Sequence, residues 1–306
     1  MPRFPRRTNR EQVNLVTHNL LRRSARRMGL DIVRADFNSP VVHAAALEPS
    51  TWERAAPLHG IDLDLEGQIR LLEGQLAPLL AEFRPPLGPQ ADPSAFYLDN
   101  PWYGPMDAHI LYAMLRHAPP ARVLELGSGY STLVIERALA VNSAADRPAS
   151  HDVVDPHPSH LLTTADGRLR VRTEPAASLG LERFAELAAG DVLFIDTTHV
   201  VRAGGEVTRL VLEVLPMLAQ GVVVHFHDIF RPFEYPRVLY ERFNVHWQEH
   251  YLVQAFLAYN PNFRVVCSNH ALWRMYGRRI GRLFPGLREG MAPSAFWIVR
   301  TGGLQG

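Results

Sequence analysis

Apolar positions along this chain follow two rhythms. From Asp62 to Phe83, the residues Leu65, Ile69, Leu72, Leu76, Leu79, Leu80 and Phe83 recur every three or four positions after an Asp start, which predicts an amphipathic helix. Its apolar face needs a partner, either the rest of the chain or a second subunit of a homo-oligomer. From Met106 onward, short continuous apolar runs alternate with segments of helical spacing. The runs predict strands at 123–126, 151–155, 169–173, 192–196, 221–227, 263–268 and 295–299. Strands of this kind separated by helices predict an α/β protein with a seven-stranded, mostly parallel, doubly wound sheet. Ahead of the sheet, Val13, Val16, Leu20, Leu21 and Met28 fall near helical spacing among arginines, which predicts a short basic amphipathic helix over 11–28. Residues 84–93 break the pattern with four prolines and a glycine and read as a linker. The expected division is a basic arm with a helical extension over 1–95, then one globular domain over 96–306.

Composition narrows the picture. The chain has 306 residues, 47% of them hydrophobic, yet no run approaches the ~18 to 20 apolar residues of a membrane span. No apolar h-region follows the N-terminal arginines, so a cytoplasmic protein is expected. The single Cys267 cannot close an intrachain disulfide and reads as a small core residue, consistent with a reducing compartment. All 32 basic residues are arginine, which excludes a lysine base or Schiff-base former. Nine of them, Arg3, Arg6, Arg7, Arg10, Arg22, Arg23, Arg26, Arg27 and Arg34, crowd the first 34 residues against only Glu11 and Asp31. Such an arm suits an anionic membrane surface, a partner, or plain solvation. A net charge of +1 and the lack of base-stacking aromatics beside these arginines argue against a nucleic-acid partner.

The chemistry concentrates at predicted strand ends, where an open parallel sheet places its ligand. The stretch Arg122-Val-Leu-Glu-Leu-Gly-Ser-Gly-Tyr-Ser131 stops an apolar run at Glu125 and turns through Gly127, Ser128 and Gly129 into a helix opened by Tyr130 and Ser131. A dinucleotide cradle would carry a third glycine three residues after Gly129; Thr132 stands there instead. An acid at the strand end also suits a ligand bearing positive charge better than a pyrophosphate. Asp155, 26 residues after Gly129, is placed to accept from both hydroxyls of a ribose, or else to cap the turn before Pro156. Upstream, the aromatic turn Phe96 to Gly104, with Tyr103, precedes a helix for which Asp107 is the expected cap; the turn either closes over the ligand or staples the helix. Asp196 ends the fourth strand with His199 three residues on, and the fifth run delivers His225, His227 and Asp228. Two acids and nearby histidines at one edge suit a cation or a proton transfer. His225 alternates with Phe226 inside its strand and reads as core. The aromatic-rich segment 230–251 supplies Arg231, Glu234, His246, Glu249 and His250 as acceptor-side candidates.

The segment from Glu125 to Ser131 resembles motif I of the class I S-adenosylmethionine (SAM)-dependent methyltransferases. The runs FIDTTH and VVVHFHDIF resemble the branch containing the macrocin and mycinamicin sugar O-methyltransferases, over Met106 to about Val299. The resemblance implies a Rossmann-like fold and SAM held by Glu125, Gly127, Ser128, Gly129, Tyr130, Ser131, Asp155 and Tyr103. It also implies Mg2+ on Asp196 and Asp228 and His199 as general base toward a hydroxyl of a sugar, glycan or glycosylated natural product. The chain departs from that branch at Ile229, where the family has a second acid or an amide. His227 then becomes a substitute ligand favouring a softer ion such as Mn2+, or no metal binds and the acids only orient His199 or the acceptor. Two other classes stay open: an NAD-dependent oxidoreductase, and a non-catalytic adaptor that binds SAM.

Overall fold

A computed structural model describes residues 20–32, 39, 41–92, 94–162, 167–287 and 292–302. Its centre is one sheet of seven strands: β1 (Arg122–Leu126), β2 (Ser150–Val154), β3 (Leu169–Arg172), β4 (Val192–Ile195), β5 (Val223–Phe226), β6 (Phe263–Ser268) and β7 (Phe296–Arg300). The order is β3-β2-β1-β4-β5-β7-β6, parallel except for β7, which runs antiparallel to both neighbours. The predicted mostly parallel, doubly wound, Rossmann-like sheet is therefore the one found. Each expected strand lies within two residues of its observed bounds, because apolar runs mark buried strands well and say little about where pairing stops.

Period-two alternation sorts side chains to the two faces. Val123, Val192, Phe194, Cys267 and Trp297 enter one apolar layer, whereas Leu124, Leu126, Leu193, Ile195, Val224, Phe226 and Ile298 enter the other. Over the first face lie the helices Pro105–His117, Tyr130–Ala144 and Asn269–Ile280, together with Leu65–Arg70 and Ala77–Glu82. Over the second lie Leu181–Ala185, Glu206–Arg209 with its continuation, and Glu249–Leu257.

The single helix expected over 62–83 is interrupted. Asp64 caps Leu65–Arg70 by accepting from the Gly67 amide at 3.0 Å, a π-type turn follows at Leu71–Gln75, and Ala77–Glu82 resumes. Pro78 has no amide hydrogen to donate back into the ladder, so a new helix starts at Ala77. The apolar stripe survives the break: Ile69, Leu72, Leu76, Leu80 and Phe83 are buried in the same layer as Val123 and Phe194, which settles the partner of this face in favour of the chain itself. No helix was expected at Asn269–Ile280, although the segment is strongly amphipathic: Ala271, Leu272 and Ile280 are buried, and Arg278 and Arg279 occupy its last turn.

The chain divides into two compact units, Met1–Leu47 with Val238–His246, and Glu48–Arg237 with Trp247–Gly306. The sheet belongs to the second. In the first, residues 20–27 are helical, Asp31 accepts from Arg22 and Arg26 at 3.4 and 3.3 Å, and Leu20, Leu21 and Met28 are exposed. The rest of the expected basic helix, 11–19, lies outside the described residues. Among the described residues no helix is long and apolar enough to cross a membrane.

Candidate functional site

Strand order reverses between β1 and β4, so the crevice above their carboxyl ends is the switch point at which open α/β sheets bind ligands. Gly127 leaves β1 with φ +90°, and a Cβ there would lie 1.9 Å from the Asp196 carbonyl oxygen. Only glycine lets the two strand ends meet so closely. At Gly129 an added Cβ meets no protein atom, so the turn has room on that side. Thr132, at the position of the missing third glycine, accepts from the Gly129 amide at 3.1 Å and so ties the start of the helix Tyr130–Ala144. Ser128 donates to Asp155 at 2.6 Å, while the second Asp155 oxygen accepts from the His157 amide at 2.7 Å. Asp155 thus caps its own turn, as its second reading has it, and ties that turn to the glycine loop.

Glu125 is fully buried beneath that turn. Its carboxylate accepts from Ser131 at 2.7 Å and faces His151 Nε2 at 2.9 Å, while His151 Nδ1 faces Glu136 at 2.8 Å. Burial alone would depress the His151 pKa, yet the two carboxylates outweigh it and raise it to about 9, so the ring stays charged at neutral pH. Sequence reading missed His151, because its pairing with Glu125 needs the β1–β2 register, in which Val123 lies opposite His151.

One strand over, Asp196, His199, His227 and Asp228 converge. His199 Nε2 lies 3.2 Å from Asp196 and 3.5 Å from Asp228, and its Nδ1 lies 2.7 Å from Glu249. His227 Nδ1 lies 3.5 Å from Asp228 and 3.9 Å from Asp196. His199 and Asp228 both adopt left-handed backbone, at φ 57° and 58°. Such angles are uncommon outside glycine and tend to persist where surrounding structure holds a side chain for a purpose. Here the holding contacts are explicit. The His199 carbonyl accepts from the amides of Gln248 and Glu249 at 3.0 and 3.1 Å, and Asp228 accepts from Ser294 at 2.9 Å. Burial would lower His199, but hydrogen bonds to Asp196 and Glu249 and the charges of Glu249 and Asp228 raise it to about 10. His227 is raised in the same way by Asp228 and Asp196, whereas Asp228 is held well below the usual carboxylate range by His227 and His199. Ligand atoms of Asp196, His227 and Asp228 lie within 4.8 Å of one another, with His227 Nδ1 turned toward both acids and its Nε2 3.7 Å from Asp107, so this donor set fits a divalent cation with waters completing its shell.

Other expectations are redistributed. Asp107 does not cap its helix; the N-cap is Gly104, and Asp107 turns inward to accept from Ser294, Ala295 and Asn269 at 2.9, 3.1 and 2.7 Å. It thereby anchors the start of β7, a duty that the local sequence does not reveal. Tyr103 is buried and stacks on His227 with ring centroids 4.9 Å apart, its hydroxyl without a hydrogen-bond partner among the described residues. The aromatic turn is knitted by Asn100, which accepts from the amides of Trp102 and Tyr103 and donates to the carbonyls of Tyr97 and Tyr103. Tyr130 pairs its hydroxyl with that of Tyr97 at 3.1 Å. Ile229, where the resembled family has an acid or amide, is buried in the apolar layer. His225 is core, packed on Phe194 at 4.0 Å and Trp297 at 4.5 Å. Glu249, an acceptor-side candidate by sequence, instead holds His199. His246 lies in the other compact unit, where its Nδ1 accepts from the Val42 amide.

No curated protein matches the chain. Similar solved structures include a Thermobifida fusca YX protein provisionally named a methyltransferase, at 14% identity over 79% of this chain and 96% of that one, with a TM-score of 0.41. Another is the CMeT domain of the citrinin polyketide synthase, at 11% identity over 65% and 54%, TM-score 0.35. A third is the 16S rRNA (adenine(1408)-N(1))-methyltransferase from Catenulisporales acidiphilia, at 14% over 63% and 93%, TM-score 0.29. With TM-scores below 0.5, these likenesses carry no inference about activity. Over residues 124–229, which run from β1 to just past β5 and hold the glycine turn, Asp196, His199 and Asp228, the chain matches the family described as a methyltransferase domain, and that match supports SAM-dependent methylation.

Proposed function

We propose that this protein moves a methyl group from SAM to a hydroxyl oxygen, most simply that of a sugar, glycan or glycosylated natural product. The observation that carries this reading is His199, fixed on a left-handed turn between Asp196, Asp228 and Glu249, one strand away from the glycine turn. With its pKa raised to about 10, His199 is charged at neutral pH while Asp196 and Asp228 face its Nε2; with the charge of those two acids offset by a cation they hold, and with Nδ1–H donated to Glu249, Nε2 would be left free to take a proton. As the acceptor oxygen attacks the methyl carbon, the carbon–sulfur bond breaks, sulfur takes the electron pair, and the hydroxyl proton passes to Nε2. Binding both partners in line supplies much of the acceleration. A divalent cation would be held by Asp196, Asp228 and His227 and would supply Lewis-acid polarisation of the hydroxyl. The absence of lysine from the chain supports a histidine in the base role. Thr132 in place of a third glycine, and the methyltransferase-domain match, weigh against hydride transfer.

The test pairs two measurements on His199→Ala and the parent: calorimetric binding of SAM and of NAD, and transfer of a labelled methyl group to a panel of glycosides. Transfer is expected to fall by about 10²- to 10⁴-fold with SAM affinity nearly unchanged. Undiminished transfer would remove His199 from the mechanism, and NAD binding without SAM binding would overturn the proposal.

A further inference from the structure

We infer that the acceptor carries an acidic group, a carboxylate or phosphate, which is held by Arg231 and Arg54 in a pocket beside the candidate catalytic edge. This rests on the reading above and names its substrate class. The pocket measures about 220 Å³ and is lined by Ser50, Thr51, Arg54, Ala56, Arg231, Pro232 and Glu234. Arg231 is half-buried, and its Nε atom is shielded from solvent without a hydrogen-bond partner among the described residues. Among the described residues its guanidinium makes no ion pair. Its nearest aromatic neighbour is the Tyr251 ring, 5.5 Å from the guanidinium carbon. A guanidinium shielded at Nε and without an acid partner among the described residues is short of counter-charge, and a planar anion is the ligand that its fork of donors matches. Burial lowers the Arg231 pKa despite nearby Glu234, as expected of a cation short of counter-charge.

Glu234 does not fill that need. Its carboxylate already accepts from the Tyr235 amide at 2.8 Å and the Tyr251 hydroxyl at 2.5 Å, and it faces His250 at 3.3 Å. Arg54, also without an ion pair among the described residues, brings a second positive charge, and Ser50 and Thr51 bring hydroxyl donors. The Ala56 amide donates to the Pro232 carbonyl at 2.7 Å, which fastens the two lining segments together.

Position links the pocket to the chemistry. Arg231 follows Asp228 by three residues, a separation of at most roughly 11 Å along the chain. Glu234 adjoins Tyr235, whose ring lies 5.9 Å from Trp247, and Trp247 lies 4.5 Å from His199. A hydroxylated ring bearing an acid is long enough to span such a distance.

The test uses the full chain with three probes: glucuronate, glucose 6-phosphate and neutral methyl glucoside. Calorimetry on the parent should show both acids binding at least tenfold more tightly than the glucoside. Arg231→Gln and the exposed Arg54→Gln should each weaken acid binding by about 10- to 100-fold, leaving SAM and glucoside affinity unchanged, and Arg231→Lys should restore part of it. Which acid binds better separates carboxylate from phosphate. Equal affinity for acids and glucoside, or acid binding that survives both substitutions, overturns the inference. Acid binding without methyl transfer to any probe would uphold this pocket while counting against the proposed reaction.

Discussion

Two buried groups of histidine and carboxylate sit side by side in this fold, and they differ in closure. Beneath the glycine turn, Glu125, His151 and Glu136 match donor to acceptor: both His151 nitrogens face acids, and the Glu125 oxygens serve Ser131 and His151. At the tips of β4 and β5, Asp196, His199, His227, Asp228 and Glu249 share more charge, yet Glu249 Oε1 and the nearby Tyr103 hydroxyl lack hydrogen-bond partners among the described residues. In the closed set these contacts fasten the start of the helix after the glycine turn to β1 and β2, a contribution to the fold. An open set holds unmet hydrogen-bonding capacity where a ligand arrives. Burial and shifted pKa are common to both sets and do not tell them apart.

The largest expected effect falls on the closed set. His151→Leu leaves Glu125 buried without its counter-charge and should cost about 3 to 5 kcal/mol, read from urea unfolding. An unchanged midpoint would show that the pair adds nothing to stability. Next, Glu249→Gln at the open set should reduce methyl transfer by about 10- to 100-fold, because the proton on Nδ1 loses its fixed acceptor, while the unfolding midpoint moves much less. A variant that unfolds early with normal turnover per folded molecule would reverse the two assignments. The smallest effect concerns pH. An unfolded histidine titrates near 6.5, whereas folded His151 is raised to about 9, so its stabilisation is complete below about pH 6.5 and fades as pH climbs through 9. The stability difference between parent and His151→Leu should therefore shrink from pH 6.5 to pH 10, and a constant difference would show that charge is not what the pair contributes.

Much of this was legible in the sequence, and the gaps have physical causes. Runs such as Val192 to Ile195 declare buried strands because both faces are covered, and glycine at 127 declares a turn that a Cβ would block. Asp196, His199 and Asp228 could be placed at one edge because parallel strands deliver their ends together. Contacts that depend on register or on crossovers were not legible. Glu249 reaches His199 across 50 residues, and Asp107 ties the start of β7 from 187 residues away. In each case the local sequence offered an ordinary explanation, a loop-side acid or a helix cap, and only the sheet order brought the true partner near.

The close seating of Gly127 on the Asp196 carbonyl has an evolutionary consequence. It welds the turn after β1 to the tip of β4, so the proposed donor side and the proposed base share one rigid seam. Most of the acceptor-side residues, Arg231 and Glu234 among them, hang instead from the connection between β5 and β6, outside that seam. A lineage built this way is free to rewrite the part of that connection ahead of Gln248 and to explore new acceptors, while the seam and Glu249 keep the reaction geometry intact.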